Sequence, residues 1–252
     1  MPKLSIITVN LNNKAGLIDT AKSIIAQSWI DYEWIIIDGG SSDGSAETIK
    51  EYAGKTNKLV YWCSEQDGGI YQGMNKGIER ARGEYCWFLN SGDCVHKNET
   101  LKEIFANEFD EDFVYGNIVF KKENGRYIVK KSSNKLSSSK LAYGNIPHQS
   151  IFTKTKIFKE KNGYRTDFKI ASDWVFLLEA ICKEKASYKH IPIVFAISVL
   201  DGTTSLNPKI HKKERETARI LVFSKKQRFL YFFSVASLRN KIRKILVLFG
   251  RS

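Results

Sequence analysis

No two cysteines in this sequence are spaced to grip a zinc ion. Cys63, Cys86, Cys94 and Cys182 form no C-x-x-C pair, and none stands near a histidine at ligand spacing. That argues against a zinc module and predicts reduced, buried thiols in a cytosolic setting. Long apolar runs are missing as well. The first, Leu4 to Val9, carries two polar interruptions and is too short for the core of a signal peptide. No G-x-G-x-x-G follows that run, and no G-x-x-x-x-G-K-[ST] occurs anywhere. A dinucleotide-binding Rossmann domain and a P-loop NTPase therefore fit poorly. His-rich and Met-rich stripes are absent too.

Aromatic residues are plentiful, with 15 Phe, 11 Tyr and 5 Trp among 252 residues, enough for a packed core and against global disorder. The charge is uneven. Residues 209–252 hold 13 Lys or Arg and 2 Glu, a net +11 of the chain's +13, so residues 1–208 carry only +2. A basic tail on a nearly neutral body gives little support to nucleic-acid binding.

The first 93 residues alternate. KLSIITV (3–9), YEWIIID (32–38), KLVYWCSE (58–65) and EYCWFLN (84–90) read as buried strands. Helical stripes lie between them, over 14–28, 45–52 and from Ile70 to Ala81. Continuous apolar strands joined by helices predict a parallel sheet covered on both faces. In such sheets ligands bind beyond the carboxyl ends of the strands. Those ends carry Thr8 and Asn10, then Asp38 and Asp43, then Glu65 and Asp67, then Asn90 and Asp93. A single aspartate in a turn needs no explanation. Aspartates after three of four strands, all aimed at one edge, point to a site.

Beyond Asp93 the pattern changes. DFVYGNIVF and RYIVKK suggest a hairpin, SSNKLSSSK (132–140) a mobile loop, and PHQSIFTK a short strand. ASDWVFLLEAICKE reads as a helix with Ser172 as N-cap, and YKHIPIVFAISVL as late strands. This half is expected to be mainly antiparallel. The expected domains are 1–208, with a nucleotide half at 1–93 and a second half at 94–208, and a basic helical tail at 209–252.

Individual residues allow two readings each. Asp38 can cap a turn or accept from a nucleoside. Asp93 is a hard oxygen ligand, and a lone carboxylate of this kind suits Mg2+ or Mn2+ shared with a diphosphate. Asp173 opens a helix, where a carboxylate is favoured by the dipole, and it can equally serve as a general base. His148, taken alone, is a part-buried core histidine.

LSIITVNLNN, WIIIDGGSSDGS, SEQDGGIYQGMNKGIERARGEY and FLNSGD, in this order and spacing, resemble the bacterial family-two glycosyltransferases of the GT-A fold. IPHQSIF and IASDWVFLLE are similar to that family's acceptor-side segments. The likeness runs over about residues 3–205 and is closest to enzymes of cell-surface polysaccharide synthesis. It implies a Rossmann-like, mostly parallel α/β sheet with helices on both faces and a smaller antiparallel portion. It implies a nucleotide-diphosphate sugar as donor, with a UDP-sugar as the expected form, a divalent ion, and inversion at the anomeric carbon. Carried over, Thr8, Asn10, Asp38 and Asp67 line the donor pocket. Asp93 ends the D-x-D metal motif and holds Mn2+ or Mg2+, Asp173 is the base, and His148 and Gln149 lie near a glycan or lipid-linked acceptor. Two departures stand out. The first acid of D-x-D falls on Ser91 or Gly92, and the family's IYDAMNKG is here Ile70 to Gly77 with Gln72 and Gly73 in place of aspartate and alanine.

A nucleotidyltransferase also uses strand-end aspartates and Mg2+, but TVNLNNKAG offers only Lys14 as a basic phosphate contact. A non-catalytic sugar-nucleotide module has no use for Asp173. In the tail, FLYFFSVASL is ten apolar-rich residues long, too short to span a bilayer that takes about 20. Wound as a helix, Leu238, Ile242, Ile245, Leu246 and Phe249 share a face with Arg and Lys around it. That predicts peripheral binding to an anionic membrane on the cytoplasmic side, with packing against protein as the other reading. Self-association as a homodimer is left open.

Overall fold

The expected alternation of strand and helix is what the chain forms through residue 88. The structure is a computed structural model that describes residues 1–199 and 207–234. Strands β1 (Leu4–Asn10), β2 (Tyr32–Asp38), β3 (Leu59–Ser64) and β4 (Tyr85–Phe88) alternate with helices α1 (Lys14–Ile25), α2 (Ser45–Lys55) and α3 (Ile70–Arg80). β1 pairs in parallel with β2 and β4, and β2 with β3. Every residue of β1 and β2 is buried, as parallel central strands with covered faces require, while β3 lies at the edge and is mostly half-buried.

The two-residue period sorts the side chains. Ile7, Val9, Ile35 and Ile37 join one core, and Leu4, Ile6, Trp34 and Ile36 the other. Helix α3 rests on the first face at close range. A Cβ at Gly77 would stand 2.4 Å from Ile7 Cγ2, and one at Gly73 would stand 2.9 Å from Val9 Cγ1. The absence of a Cβ at Gly73 and Gly77 lets α3 lie close on β1.

After β4 come β5 (Cys94–Val95), α4 (Thr100–Phe105), β6 (Phe113–Lys121), β7 (Tyr127–Lys130), α5 (Ser138–Tyr143), β8 (Ile151–Lys154), α6 (Thr155–Glu160), α7 (Ser172–Leu178) and β9 (Tyr188–Val199). All the strands belong to one nine-stranded sheet, ordered β3-β2-β1-β4-β8-β6-β9-β5 with β7 on β6. The β6–β7 hairpin forms as expected. Pairing is antiparallel from β4 to β8 and from β8 to β6, but β9 runs parallel to β6. The late strands are one twelve-residue strand with a register shift opposite Gly116. Pro192, which has no N–H to give a ladder, lies in that shifted stretch.

Several local expectations change. The last three residues of the Ser-rich segment begin helix α5, capped by the Ser137 hydroxyl on the Lys140 N–H at 3.2 Å. His148–Ser150 form a 3-10 turn, so His148 precedes the strand. Helix α7 ends at Leu178 and widens into a π turn over Glu179–Lys183. Ser172 is not its N-cap: it lies inside the first turn, and its Oγ has no partner. The N–H groups of the segment just ahead of α7 are taken from afar, by helix α8 (Pro208–Val222). The Glu214 carboxylate accepts from Lys169, Ile170 and Ala171 at 2.7, 3.0 and 3.0 Å.

α8 is thus fastened to the second half. Arg215 stacks over Trp174 at 4.1 Å and donates to Gly144 O at 2.6 Å. Burial there pushes the Arg215 guanidinium down to about 10. Residues 225–234 are helical. The expected stripe from Leu238 to Phe249 lies outside the described residues. Among the described residues no helix is long and apolar enough to cross a membrane.

Candidate active site

The ends of β1, β2 and β3 carry a polar row in register, Asn10 opposite Asp38 and Asp38 opposite Ser64. Parallel pairing sets these side chains side by side, and Asp38 takes its bonds from both neighbours. Its Oδ1 accepts from Asn10 Nδ2 and Ser41 Oγ, both at 2.6 Å, and its Oδ2 from Ser64 Oγ at 2.6 Å and Ser41 N at 2.9 Å. Burial alone would raise the Asp38 carboxyl, but the bonds from Ser41, Ser64 and Asn10 outweigh it and hold the group below its ordinary value. In this arrangement Asp38 organises the loop after β2. Asn10 Oδ1 is buried without a hydrogen-bond donor. Thr8 is fully buried, and its hydroxyl accepts from Trp34 Nε1 at 3.0 Å. Asp67 accepts from Gly69 N at 2.9 Å, and its other oxygen lies close over Gly39 and Gly73. Gln72, where the family has aspartate, turns back to accept from Gly68 N at 2.7 Å.

The loop after β4 is held by α1. Thr20 Oγ1 donates to Asp93 O at 2.7 Å and accepts from Gly92 N at 3.0 Å. Asn13 Nδ2 reaches Ser91 O at 2.9 Å. Gly92 has φ +99°, a left-handed conformation in which an aspartate would be strained. Asp93 itself is 7% exposed. Gln149 Nε2 donates to its Oδ2 at 3.1 Å, and Ser198 is its other side-chain partner. Burial pushes the Asp93 carboxyl up, and nearby His148, Ser198 and Gln149 only partly offset this.

The 148–150 turn joins this acid to a second one. His148 Nδ1 lies 3.1 Å from Asp173 Oδ2, and Tyr71 Oη lies 3.0 Å from Asp173 Oδ1. Burial favours the uncharged Asp173, yet the bond and charge of His148, the Trp174 N–H and the Tyr71 hydroxyl hold its carboxyl below the ordinary range. His148 shifts the other way. Burial lowers it, but the Asp173 bond and charge and the charge of Asp93 raise it above its usual value. Phe88, Phe113, Tyr164 and Phe176 line a small cavity behind the pair.

A family model described as glycosyl transferase family 2 matches residues 5–180, most of the chain. The chain belongs to glycosyl transferase family 2. This glycosyltransferase is 28% identical over 198 residues to a PGL/p-HBAD biosynthesis glycosyltransferase of Mycobacterium bovis, 77% of this chain and 76% of that one. Its fold is GT-A. It superposes on Staphylococcus aureus TarS in complex with UDP with a TM-score of 0.64 at 22% identity, covering 79% of this chain and 60% of that one. The mannosyltransferase PcManGT of Pyrobaculum calidifontis, in complex with GDP-Man and Mn2+, gives a TM-score of 0.63 at 14% identity, covering 93% and 80%.

Among the described residues no group of three His, Cys, Asp or Glu is placed to hold a metal. The donor set fits a shared ion: a buried carboxylate whose bonded side chains are neutral, on a loop with no second acid.

The residues singled out by sequence fall into two clusters. Asn10, Asp38 and Asp67 gather at the strand ends, with Thr8 just below in the core, and Asp93, Gln149, His148 and Asp173 form a connected set. Tyr71, Thr20, Ser41, Ser64 and Ser198 were not anticipated. Tyr71, Ser41 and Ser64 lie inside the quoted motifs, and that was the available signal. Thr20 and Ser198 carried none.

Proposed function

We propose that this glycosyltransferase moves a sugar from a nucleotide-diphosphate sugar to a hydroxyl of a glycan or lipid-linked acceptor, with inversion, in surface polysaccharide synthesis. The observation that carries the reading is the 148–149 turn. Gln149 touches Asp93, the donor-side acid, and His148 touches Asp173, the acid of α7. An in-line displacement needs that arrangement: one group where negative charge leaves, another where a proton is given up.

Asn10, Asp38 and Asp67, with Thr8 behind them, would form the nucleoside pocket, and a UDP-sugar is the proposed donor. Asn10 Oδ1 is the unpaired acceptor that a nucleoside N–H or hydroxyl would satisfy. Asp93 would hold Mn2+ or Mg2+, which when bound supplies a Lewis acid for charge on the departing diphosphate. Asp173 and His148 would accept the proton of the acceptor hydroxyl, held in low-dielectric surroundings by the aromatic residues behind them.

The test is the Asp93→Ala variant, assayed with the sugar nucleotides that raise the wild-type melting temperature in the presence of Mn2+. Metal-dependent turnover is expected to vanish. Near-normal activity with normal Mn2+ dependence would contradict the assignment.

The tail bears on where this happens. Phe229 and Phe233 are 64% and 53% exposed beside Lys225, Lys226 and Arg228, while Tyr231 packs edge-on against buried Phe223. Exposed aromatics next to cations suit the surface of an anionic membrane, which would give the enzyme a peripheral place on the cytoplasmic side near a lipid-linked acceptor. Liposome flotation tests this. The full chain should float with anionic vesicles at low salt and less at high salt, and a chain ending at Ser224 should stay behind. Equal flotation of both, or of neither, would rule the tail out as the anchor.

A further inference from the structure

Three cations converge on one short segment of the second half, and no acid answers them. Residues 142–145 lead into the turn that carries His148 and Gln149. Lys130 Nζ, at the end of β7, donates to Asn145 O at 2.9 Å. From α8, Arg215 donates to Gly144 O at 2.6 Å and Arg219 to Ala142 O at 3.4 Å. All three side chains are half-buried. Among the described residues none of them is paired with a carboxylate. Glu214 stands beside Arg215 in the sequence, but its carboxylate is turned to the N–H groups of 169–171.

The arrangement costs energy as it stands. Burial and then the charge of Arg219 lower Arg215, and burial and then the charge of Arg215 lower Lys130. Holding a segment by its carbonyls needs donors, not charge, and neutral amides would make such bonds without the repulsion. Donors are also left over. A guanidinium has five N–H groups and an ammonium three, and among the described residues each of these side chains spends one. An anion that accepts from all three would take up the spare donors and offset the repulsion.

The place of the cluster says which anion. At one end Arg215 stacks over Trp174 at 4.1 Å, the residue after Asp173, and the charge of Asp173 reaches Arg215. At the other end Arg219 lies 5.1 Å over the ring of Tyr143, and Phe232 of the tail lies 6.3 Å from that ring. Phe232 is 55% exposed. The cations therefore form a path from the acid of α7 to the exposed aromatics of the tail. A ligand that follows this path carries a hydroxyl at one end, an apolar chain at the other and negative charge between.

We propose that Lys130, Arg215 and Arg219 bind the phosphate of a lipid-linked acceptor, with its sugar toward Asp173 and its lipid toward Phe232. The proposal rests on the glycosyl-transfer reading above and narrows its acceptor to a phosphate ester. Arginine suits this role because its planar fork meets phosphate oxygens in pairs, and Lys130 adds a point charge.

Flotation of the full chain tests this, with phosphatidylcholine vesicles that carry either phytanyl phosphate or phosphatidylglycerol at equal surface charge. Wild type should bind the phytanyl phosphate vesicles roughly ten-fold more tightly, as charge-assisted bonds to a built site imply. Lys130→Gln/Arg219→Gln should erase that preference, with its melting temperature and its binding of UDP and Mn2+ unchanged. Lys225→Gln/Lys226→Gln removes the same charge from the tail, and it should weaken both vesicle types while keeping the preference. Equal affinity of the wild type for the two lipids would overturn the site and leave only attraction to any anionic headgroup. A preference that survives Lys130→Gln/Arg219→Gln would overturn it too. So would lost UDP binding in that variant at an unchanged melting temperature, which would give the cations to the donor diphosphate. The vesicle preference is read without turnover. A wild type that shows it, yet transfers from no sugar nucleotide, would keep the phosphate site and overturn the transfer reading.

Discussion

The half proposed to bind the donor and the half proposed to bind the acceptor, below called the donor half and the acceptor half, are assembled on different principles. In the donor half the polar row comes from neighbouring strands in register, so Asn10, Asp38 and Ser64 meet because β1, β2 and β3 pair in parallel. In the acceptor half each contact crosses the fold. Tyr71 meets Asp173 from 102 residues away, and Glu214 on α8 closes the backbone ahead of α7. The first kind of site is fixed by secondary structure. The second depends on tertiary packing and is more easily disturbed without unfolding the chain.

The sharpest way to break this comparison is at Asp173. Asp173→Asn is expected to lower kcat by roughly 10² or more and leave UDP binding within a few-fold of normal. Parallel loss of binding and turnover would show that the acceptor half also shapes the donor pocket. Next in size is Asp38→Ala. It strips the partner from Asn10, Ser41 and Ser64 in a buried row. Unfolding by urea should show a loss of about 3 kcal/mol, with weaker donor binding. A variant as stable as wild type would mean that the row is not what fixes the donor half. The smallest effect is expected at Glu214→Ala. Removing a carboxylate that caps three N–H groups should cost about 1 kcal/mol and slow turnover a few-fold, with UDP binding unchanged. Normal turnover would separate α8 from the positioning of Asp173.

The same contrast explains what the sequence disclosed. The four parallel strands were legible because a buried parallel strand is a continuous apolar run, and their ends announced themselves as Asn10, Asp38, Asp67 and Asp93. The acceptor half was legible only in pieces. Asp173, His148 and Gln149 were marked by resemblance, but nothing local says that Nδ1 of one meets the carboxylate of another. Ser172 looked like an N-cap because Ser is favoured there, but Ala171 holds that position without a side-chain bond, and Glu214, 42 residues beyond Ser172, binds the backbone just ahead of the helix. β9 looked like several strands because Pro192 interrupts it, and its parallel pairing with β6 is a matter of topology. The start of α5 at the end of 132–140 was hidden by its serines, which cap helices as readily as they fill loops.

The central claim is that Asp93 serves the leaving diphosphate while Asp173 serves the acceptor. Calorimetric titration of UDP, with and without Mn2+, into wild type, Asp93→Ala and Asp173→Asn tests it most directly. Mn2+ should tighten UDP binding in the wild type and in Asp173→Asn but not in Asp93→Ala. If Mn2+ still tightens binding without the Asp93 carboxylate, or fails to do so in Asp173→Asn, the division of labour between the two acids is wrong.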